Sequence, residues 1–451
     1  MDAAYELTDH VVGLRWANVP PAARHAATTF LHDTLCVGIA GVNAPYADAV
    51  LAAISGGTGA CTVLGREIRL PPGDAAFINA FQIHAQEFDC VHEPAVVHPL
   101  ATIVAVLLAE IDGGVPRSGP DVLTALVAGV DVAVALGLAA TTPLRFFRPA
   151  TAGIFGSVAA ISKLRGLDRD TTGHALGYAL AFASGTMQAH VEGLPTLPIQ
   201  IAQAARSAIQ AVNLAVAGLP GPRDAIEGQF GYLPLFEAGF DAQRLRQTLG
   251  AGFGIEEVSW KPFPTGRAAH GAIVATRQLL TDHGVHAGNL ARLVYRAPPL
   301  IARLVGRRPT PAMSPAYARL CFAWLGSIVL TRGTVELGDF GPERRCDPKL
   351  LALAERIFVE TDDNPDPAAF TPAQAIATLV DGSTRQVVVQ SQFGSPQWPL
   401  SRAQHDEKAR ACLGFAGKSA LHLPLAALID AWADQDDIAS ALNAVLRHPT
   451  H

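Results

Sequence analysis

From its start to about residue 254, the chain places alanine and other apolar residues at spacings of three and four, as on one face of an α-helix. Typical stretches are LHDTLCVGIAG, AAFINAFQIHA, ATIVAVLLAEI and IAQAARSAIQAVNLAVAG. Alanine has the highest helix propensity, and Gly/Pro punctuation such as LPGP at residue 219 falls where a helix would have to end. The pattern predicts a large all-helical domain.

After about residue 257 the sequence changes to short β-branched runs bounded by turn residues. The runs LARLVYRAP, RIFVETDD and TRQVVVQSQF alternate with helical stretches such as AYARLCFAWLGSIVL, which predicts a smaller α/β domain. Helical spacing returns after about residue 401 in AQHDEKARACLGFAG. We therefore predict a mainly α fold, in which residues 1–256 and 401–451 form the helical domain and residues 257–400 form the α/β domain.

The size and low charge of the chain indicate several hydrophobic cores and a partner subunit. Its 451 residues exceed the roughly 250 to 300 at which a single core stops growing. Hydrophobic residues make up 49% of the chain and charged residues only 16%, so we expect a homo-oligomer that covers part of the apolar surface.

Charge and hydropathy argue against nucleic-acid and membrane partners. The net charge is −6, and no run of Lys and Arg forms a basic stripe. The most apolar stretch, residues 122–140, contains Asp131, which favours a buried helix over a membrane span. The N-terminal sequence lacks a basic region typical of signal peptides, and the six cysteines are scattered singly. We expect a cytoplasmic protein.

The segment HAQEFDCVHEPAVVHP, residues 84–99, holds three histidines and three carboxylates in an otherwise charge-poor region. We expect Pro94 to end the preceding helix and Pro99 to begin the next one, which would leave residues 87–98 as an exposed turn. Loops held between rigid helices often carry catalytic groups. The segment is therefore the first candidate for an active site.

Within this segment, His98 is the predicted catalytic acid or base, because it precedes a helix whose positive end favours a bound carboxylate. His92 and Asp89 are predicted as its partner and as the group that orients it. The alternative is that these side chains only cap helices and pair with one another. Histidine separations of eight and six residues match no zinc pattern, so we expect no metal.

A second cluster, WKPFPTGRAAH at residues 260–270, presents Lys261, Arg267 and His270 near the predicted domain junction, where ligand sites are common. Arg267 could hold a carboxylate bidentately, Lys261 could polarise one, and His270 is a second acid/base candidate. The alternative is a stiff linker with a solvated basic face.

The sequence carries no motif for a nucleotide or an activated serine. The Gly-rich segments SGGTGA at residue 55 and EGQFGY at residue 227 lack GxGxxG or Walker spacing, and no GxSxG is present. We therefore expect no cofactor.

The order of several segments resembles the MmgE/PrpD superfamily, which includes 2-methylcitrate dehydratase, cis-aconitate decarboxylase and iminodisuccinate epimerase. The segments are LHDTLCVGIAG, NAFQIHAQEFDCVHEPAVVHP, RFFRPATAGIFGSVAAISKLRGL, GTMQAHVEG, GQFGY, KPFPTGRAAH and AYARLCFAWLGSIVLTRG. The resemblance implies a helical domain formed by both chain ends and a smaller α/β lid domain. It also implies a homodimer and a site between the domains that uses neither metal nor cofactor.

The resemblance also associates four residues with the active site, namely Glu87, Asp89, His98 and Lys261. The chain departs from the family at Arg148, where relatives tend to show a histidine before PT, and at Trp324, where a tyrosine is expected. Leu197 and Gln200 fall in TLPIQ, where relatives show a TKxLH stretch. A permanently charged Arg148 suits substrate anchoring better than proton transfer. The predicted substrate-binding residues are Arg148, Arg267, Gln188 and Gln200.

The leading hypothesis is a cofactor-independent enzyme that abstracts or delivers a proton next to a carboxylate of a small di- or tricarboxylic acid. A dehydratase-type lyase or an isomerase fits this chemistry, with the cations steadying a developing enolate. An epimerase of the iminodisuccinate type needs proton-transfer groups on opposite faces of one carbon, and the sequence does not separate it from a lyase. A non-catalytic carboxylate-binding relative and a metallohydrolase are two further hypotheses.

Overall fold

The computed structural model describes residues 2–54, 56–366 and 369–447, and most of their backbone is helical. The α-helices that precede the main sheet are α1 (Ala3–Gly13), α2 (Pro21–Ala40), α3 (Ala47–Ile54), α4 (Pro72–His84), α5 (Pro99–Ile111), α6 (Gly119–Ala139), α7 (Arg148–Thr151), α8 (Gly153–Arg165), α9 (Arg169–Phe182), α10 (Gln188–Glu192), α11 (Thr196–Val216), α12 (Tyr232–Phe236), α13 (Ala242–Ala251) and α14 (His270–His283). Those that follow are α15 (Pro299–Val305), α16 (Pro315–Ala318), α17 (Phe322–Arg332), α18 (Pro342–Arg345), α19 (Pro348–Ala354), α20 (Arg402–Phe415), α21 (His422–Asp430) and α22 (Ile438–Leu446). The strands are β1 (Cys61–Thr62), β2 (Arg69–Leu70), β3 (Leu290–Ala297), β4 (Ile357–Thr361), β5 (Ala373–Leu379) and β6 (Thr384–Val389).

Helices α1–α13 and α20–α22 share one hydrophobic core and are called the helical unit below. Its centre is the packing of α6 on α8 and of α11 on α4. Gly129 of α6 and Gly156 of α8 make the first crossing close, because a Cβ on Gly129 would lie 2.6 Å from the carbonyl oxygen of Gly156. The small antiparallel pair β1–β2 is an addition that the all-helical prediction did not include.

Helix α6 confirms the prediction of a buried helix over the most apolar stretch. It is long and apolar enough to cross a membrane, but 94% of its apolar window is buried inside the protein. The bent pair formed by residues 21–43 and α3 meets the same criteria only when the two parts are combined. Asp131 of α6 accepts hydrogen bonds from His10 and from the backbone N–H of Gly254, which satisfies its buried carboxylate. Helix α6 is thus a core helix.

A second hydrophobic core lies between Phe263 and Val389 and defines the α/β unit. Its sheet has the order β4–β3–β5–β6, with β3 parallel to β4 and the other pairs antiparallel. Burial alternates along β5, so Ala373, Ala375, Ala377 and Leu379 face the core, against which α14 and α17 pack. The predicted mainly α fold with a smaller α/β part is confirmed. The domain boundaries and the homodimer stay predictions.

The last helices return to the helical unit and reach the segment predicted to be the active site. Helix α20 packs on α2, and its buried Lys408 forms a 2.8 Å ion pair with Asp33 of α2. The same ammonium donates a hydrogen bond to the carbonyl oxygen of Phe88. The end of the chain therefore helps to fix the backbone beside Asp89.

Candidate active site

The site loop, residues 85–98, connects α4 to α5. Pro99 is the first residue of α5, as predicted, and His98 precedes it. The prediction that Pro94 ends the preceding helix is wrong, because α4 already ends at His84. Glu87 and Val96 adopt the left-handed region, with φ of 50° and 51°, and this conformation does not continue a helix. Such strain in residues other than glycine often accompanies function.

The prediction that this loop is exposed is also wrong, because Asp89 and His92 are only 1% and 2% exposed. Lys408 approaches the loop from one side. The α/β unit approaches from the other, where Arg319 donates hydrogen bonds to the carbonyl and side-chain oxygens of Gln86. The loop lies between the two units, and its charged side chains are removed from bulk water.

Asp89 joins two histidines that are fourteen residues apart. Its Oδ2 lies 2.9 Å from Nδ1 of His84 and 2.9 Å from Nδ1 of His98. The two imidazole rings meet edge to face, with centroids 4.8 Å apart. Because an ionised carboxylate only accepts hydrogen bonds, each Nδ1 donates to Asp89, and each Nε2 is left to take up or release a proton. No described residue bonds Nε2 of His84, which is buried.

The environment separates the pKa values of the two histidines. Burial lowers the pKa of His98 and outweighs the opposing charge of Asp89. Burial acts on His84 as well, but Asp89 and Glu87 together raise its pKa. For Asp89, burial is overcome by His84, His98 and Lys261, which hold its pKa well below the usual range. One histidine is thus biased toward the neutral form and the other toward the charged form.

Lys261 and Glu87 form the second part of the site. The Lys261 ammonium is fully buried, 2.7 Å from Oε2 of Glu87 and 3.8 Å from Oδ1 of Asp89. Although burial opposes ionisation, Lys261 and the two histidines lower the pKa of Glu87 to about 2. The structure therefore brings together Glu87, Asp89, His98 and Lys261, the four residues that the resemblance associates with the active site.

A narrow cleft of about 30 Å³ lies beside this cluster, between the helical unit and the α/β unit. His84 and Glu87 lie on its helical wall, and Ser314 and Arg319 lie on the opposite wall. Leu197, at one of the departures from the family pattern, also lines the cleft. Most of the remaining lining is apolar. The cleft therefore reaches one edge of the histidine pair, at His84.

Arg148 does not face this cleft, contrary to its predicted role as a substrate anchor. Its Nε and Nη2 donate to the two carboxylate oxygens of Glu237 at 2.8 and 2.9 Å, and Nη1 donates to the carbonyl oxygen of Ala95. All these groups are buried. The guanidinium is therefore already neutralised, and it supports the site loop through Ala95.

Arg267 and His270 also have internal partners instead of lining the cleft. Arg267 pairs with Glu93 at 2.7 Å and donates to the carbonyl oxygens of Trp260 and Phe393. His270 is fully buried against Arg267, and burial together with that charge lowers its pKa well below the usual range. These contacts argue against the predicted anchoring role of Arg267 and the acid/base role of His270, and the alternative of a solvated basic face is wrong.

Three other predicted residues lie apart from the histidine pair. His92 accepts a hydrogen bond from the backbone N–H of Ala95, and burial lowers its pKa to about 4, so it does not partner His98. Gln188 is exposed and donates to Glu192. Gln200 bonds both backbone groups of Thr186. Their observed contacts are structural, and substrate binding by the two glutamines stays a prediction.

The sequence predictions missed His84 and Arg319. His84 marked the start of the polar segment, but its position five residues before Asp89 gave no sign that the two would pair. Arg319 is a lone cation in an apolar run, AYARLCFAW, and a charge in such a setting is costly unless it serves structure or function. That signal could have identified it.

The donor set His84, Asp89 and His98 could hold a metal ion, since one ligand atom from each lies within 4.8 Å of the others. Two imidazoles and a carboxylate suit several transition metals. Against this, both Nδ1 atoms already bond the same oxygen of Asp89, and the Lys261 ammonium would repel a cation. The geometry favours proton transfer within the set.

Sequence comparisons match almost the whole chain. Residues 5–245 match the MmgE/PrpD N-terminal domain and residues 263–428 match the MmgE/PrpD C-terminal domain. Cis-aconitate decarboxylase from Homo sapiens is 30% identical over 373 residues, covering 78% of this chain and 74% of that protein. The Mus musculus enzyme is 29% identical with the same coverage. A cis-aconitate decarboxylase-like protein from Aspergillus oryzae is 27% identical over 85% of both chains.

Proposed function

The chain belongs to the MmgE/PrpD family, and we propose that it is a cofactor-independent lyase acting on a small di- or tricarboxylic acid. Its relatives include decarboxylases of cis-aconitate, a tricarboxylate, which supports this substrate class. The reaction is proton transfer at the carbon next to a carboxylate. The favoured form is a dehydratase-type elimination, with an isomerisation as the related outcome.

The observation that carries the proposal is the pair of imidazoles on one carboxylate. Asp89 orients both rings through Nδ1, and their pKa values are displaced in opposite directions. Paired groups whose environments separate their pKa values are the usual mark of a catalytic acid and base. His98 is assigned as the base because its neutral form is favoured, and His84 is assigned as the acid because its charged form is favoured.

In the proposed elimination, Nε2 of His98 takes the proton from the carbon beside the carboxylate. The electron pair of that C–H bond becomes the new C=C bond, and the C–O bond to the neighbouring hydroxyl breaks. The hydroxyl leaves as water with the proton donated by His84. Lys261, fixed 3.8 Å from Asp89, adds positive charge that steadies the enolate developing during proton removal. Imidazole groups can perform every step without a metal or an organic cofactor.

The arrangement favours a lyase over an epimerase. Epimerisation requires proton-transfer groups on opposite faces of one carbon. The rings of His84 and His98 lie 4.8 Å apart on the same carboxylate, which leaves no space for a carbon between them. Both groups therefore reach the substrate from one side.

Proton NMR of the protein in D2O with citrate, methylcitrate, cis-aconitate, malate, aspartate and iminodisuccinate tests this function. The proposal predicts the loss of the proton signals of a hydroxy acid and the appearance of a vinyl proton signal with at least one acid. Deuterium at an α carbon without net change would support the epimerase. If no acid exchanges or reacts, the protein is better described as a carboxylate-binding relative.

A further inference from the structure

The cations that were predicted to bind substrate are neutralised inside the protein. Arg148 pairs with Glu237, and Arg267 pairs with Glu93. An anionic substrate would have to compete with carboxylates that are already in place at 2.7 to 2.8 Å. The groups that bind the substrate must therefore be sought elsewhere on the cleft.

Arg319 is a buried cation without an acidic partner among the described residues. It is 1% exposed, and it lines the cleft on the side of the α/β unit. Its Nη1 donates to the carbonyl oxygens of Gln86 and Pro264, and its Nη2 donates to the side chain of Gln86. Nε has no hydrogen-bond partner in the described part of the chain. The guanidinium also stacks on Phe340, 3.8 Å from the ring centroid. These contacts hold the guanidinium in place, but none of them supplies a negative charge.

Arg307 is a second arginine with a guanidinium nitrogen that no described residue bonds, and it contacts His190 and Tyr317, which neighbour the cleft residues Ala189 and Ala316 in the sequence. Its Nη2 donates to the carbonyl oxygen of His190, and its buried Nη1 has no partner in the described ranges. The guanidinium stacks on Tyr317, 4.7 Å from the ring centroid. Ser314, which lines the cleft beside this turn, donates to the carbonyl oxygen of Gly193 on the other wall. Arg307 thus lies where the two units meet.

Burying a guanidinium without a counter-charge is unfavourable, so its retention calls for a compensating anion. Glu87 is the acidic residue whose negative charge acts on Arg319. That carboxylate, however, is already paired with Lys261. Burial, opposed by Glu87, lowers the pKa of Arg319 to about 9. A ligand carboxylate would supply the missing charge and the missing hydrogen-bond acceptor.

We propose that Arg319 and Arg307 are the carboxylate anchors of the cleft, and that the ligand must therefore carry at least two carboxylates. The inference rests on the proposed function and names the residues that select its substrate class. Arg319 would hold one carboxylate deep in the cleft, near His84 and Glu87. Arg307 would hold a second one near His190 and Tyr317. The helical unit then supplies the catalytic acid and base, and the α/β unit supplies the residues that bind the substrate.

Calorimetric titration with unreactive tricarballylate, compared with butyrate, tests this assignment. The unmodified protein should bind tricarballylate at least tenfold more tightly than butyrate. Arg307→Met and Arg319→Lys should each weaken tricarballylate binding by about 10 to 100-fold, the usual worth of a charged hydrogen bond. The lysine variant keeps the buried positive charge but removes the planar guanidinium group, which the contacts with Gln86 hold in place. Circular dichroism would verify that each variant is folded.

The matched control is Arg303→Met, which removes an exposed arginine from α15, the helix that leads to Arg307. Its tricarballylate affinity should not change. Equal binding of butyrate and tricarballylate, or unchanged affinity in the folded Arg307 and Arg319 variants, would overturn the assignment. Arginine-dependent binding without turnover of any acid would instead refute the proposed function and leave the anchors supported.

Discussion

The Nζ of Lys261 lies 2.7 Å from Oε2 of Glu87, although 174 residues separate them in the chain. The ion pair joins the site loop of the helical unit to the turn that leads into the α/β unit. It also lies beside Asp89, whose carboxylate orients both histidines. The connection between the two units is therefore part of the candidate active site, and changes to it should alter stability and activity together.

Replacing Glu87 with Gln is expected to destabilise the protein, because the buried Lys261 ammonium loses its closest counter-charge. Removing one partner of a buried ion pair commonly costs about 3–5 kcal/mol. A thermal unfolding midpoint lower by about 3–5 °C would report this loss.

The double variant Glu87→Gln with Lys261→Met separates the two roles of the pair. It should regain much of the lost stability, because no unpaired charge remains. Its turnover should stay low, because the positive charge beside Asp89 is gone. Full activity in the stable double variant would show that Lys261 has no part in catalysis.

The rate is expected to depend on pH with a bell-shaped profile. His98 must be neutral to act as a base, and its pKa lies below 6.5, so kcat/KM should rise as pH increases through that lower value. His84 must be protonated to act as an acid, and its pKa lies above 6.5, so the rate should fall as pH increases through that higher value. The maximum should lie between these two pKa values, measured in a series of buffers at constant ionic strength.

Asp89→Asn provides the control for this profile. The neutral amide removes the negative charge that favours protonated His84, and it can also turn its NH2 group toward the two Nδ1 atoms, which reverses their tautomers, so kcat should fall by about 10³–10⁴. The two limbs of the remaining profile should also shift. If the pH profile of Asp89→Asn kept both limbs at the same pH values, the two histidines would not be the groups that determine the profile.

Arg148→Met is expected to affect stability more than substrate affinity. The change leaves the buried Glu237 without a partner, which should lower the thermal midpoint, and Glu237→Met in the same protein should restore part of it. KM should stay within about threefold of the unmodified value, since the guanidinium is not needed for ligand binding. A large rise in KM with unchanged stability would return Arg148 to the substrate-binding residues.

Removal of divalent metals is expected to leave turnover unchanged. The proposed proton transfers use imidazole groups, and Lys261 disfavours a cation beside Asp89. Dialysis against a chelator, followed by metal analysis and an activity assay, tests this expectation. Loss of activity that returns with zinc or manganese would favour metal chemistry at His84, Asp89 and His98.

Local patterns predicted those parts of the fold that depend on neighbouring residues. Pro99 marks the start of α5 because its ring fits the first helical turn, and the β-branched runs became β3, β4 and β6. Strand β5 was not predicted, because its sequence AQAIATL is rich in alanine, which favours helices. Its pairing with β3 and β6 outweighs that preference.

The candidate site was predictable as a region but less so as a set of contacts. The density of charged and imidazole groups identified residues 84–98. The partners of Arg148 and Arg267 lie 89 and 174 residues away, and no spacing pattern reports such pairs. The sequence therefore suggested substrate anchors where folding forms internal ion pairs.

The most direct test of the proposed chemistry is proton NMR in D2O of the unmodified protein and of His98→Gln, with whichever acid reacts. Exposed His283→Gln is the control. We predict that His98→Gln slows both turnover and deuterium incorporation by about 10² to 10⁴-fold while His283→Gln has no effect. Unchanged deuterium incorporation and turnover in folded His98→Gln would contradict the claim that the histidine pair on Asp89 transfers the proton.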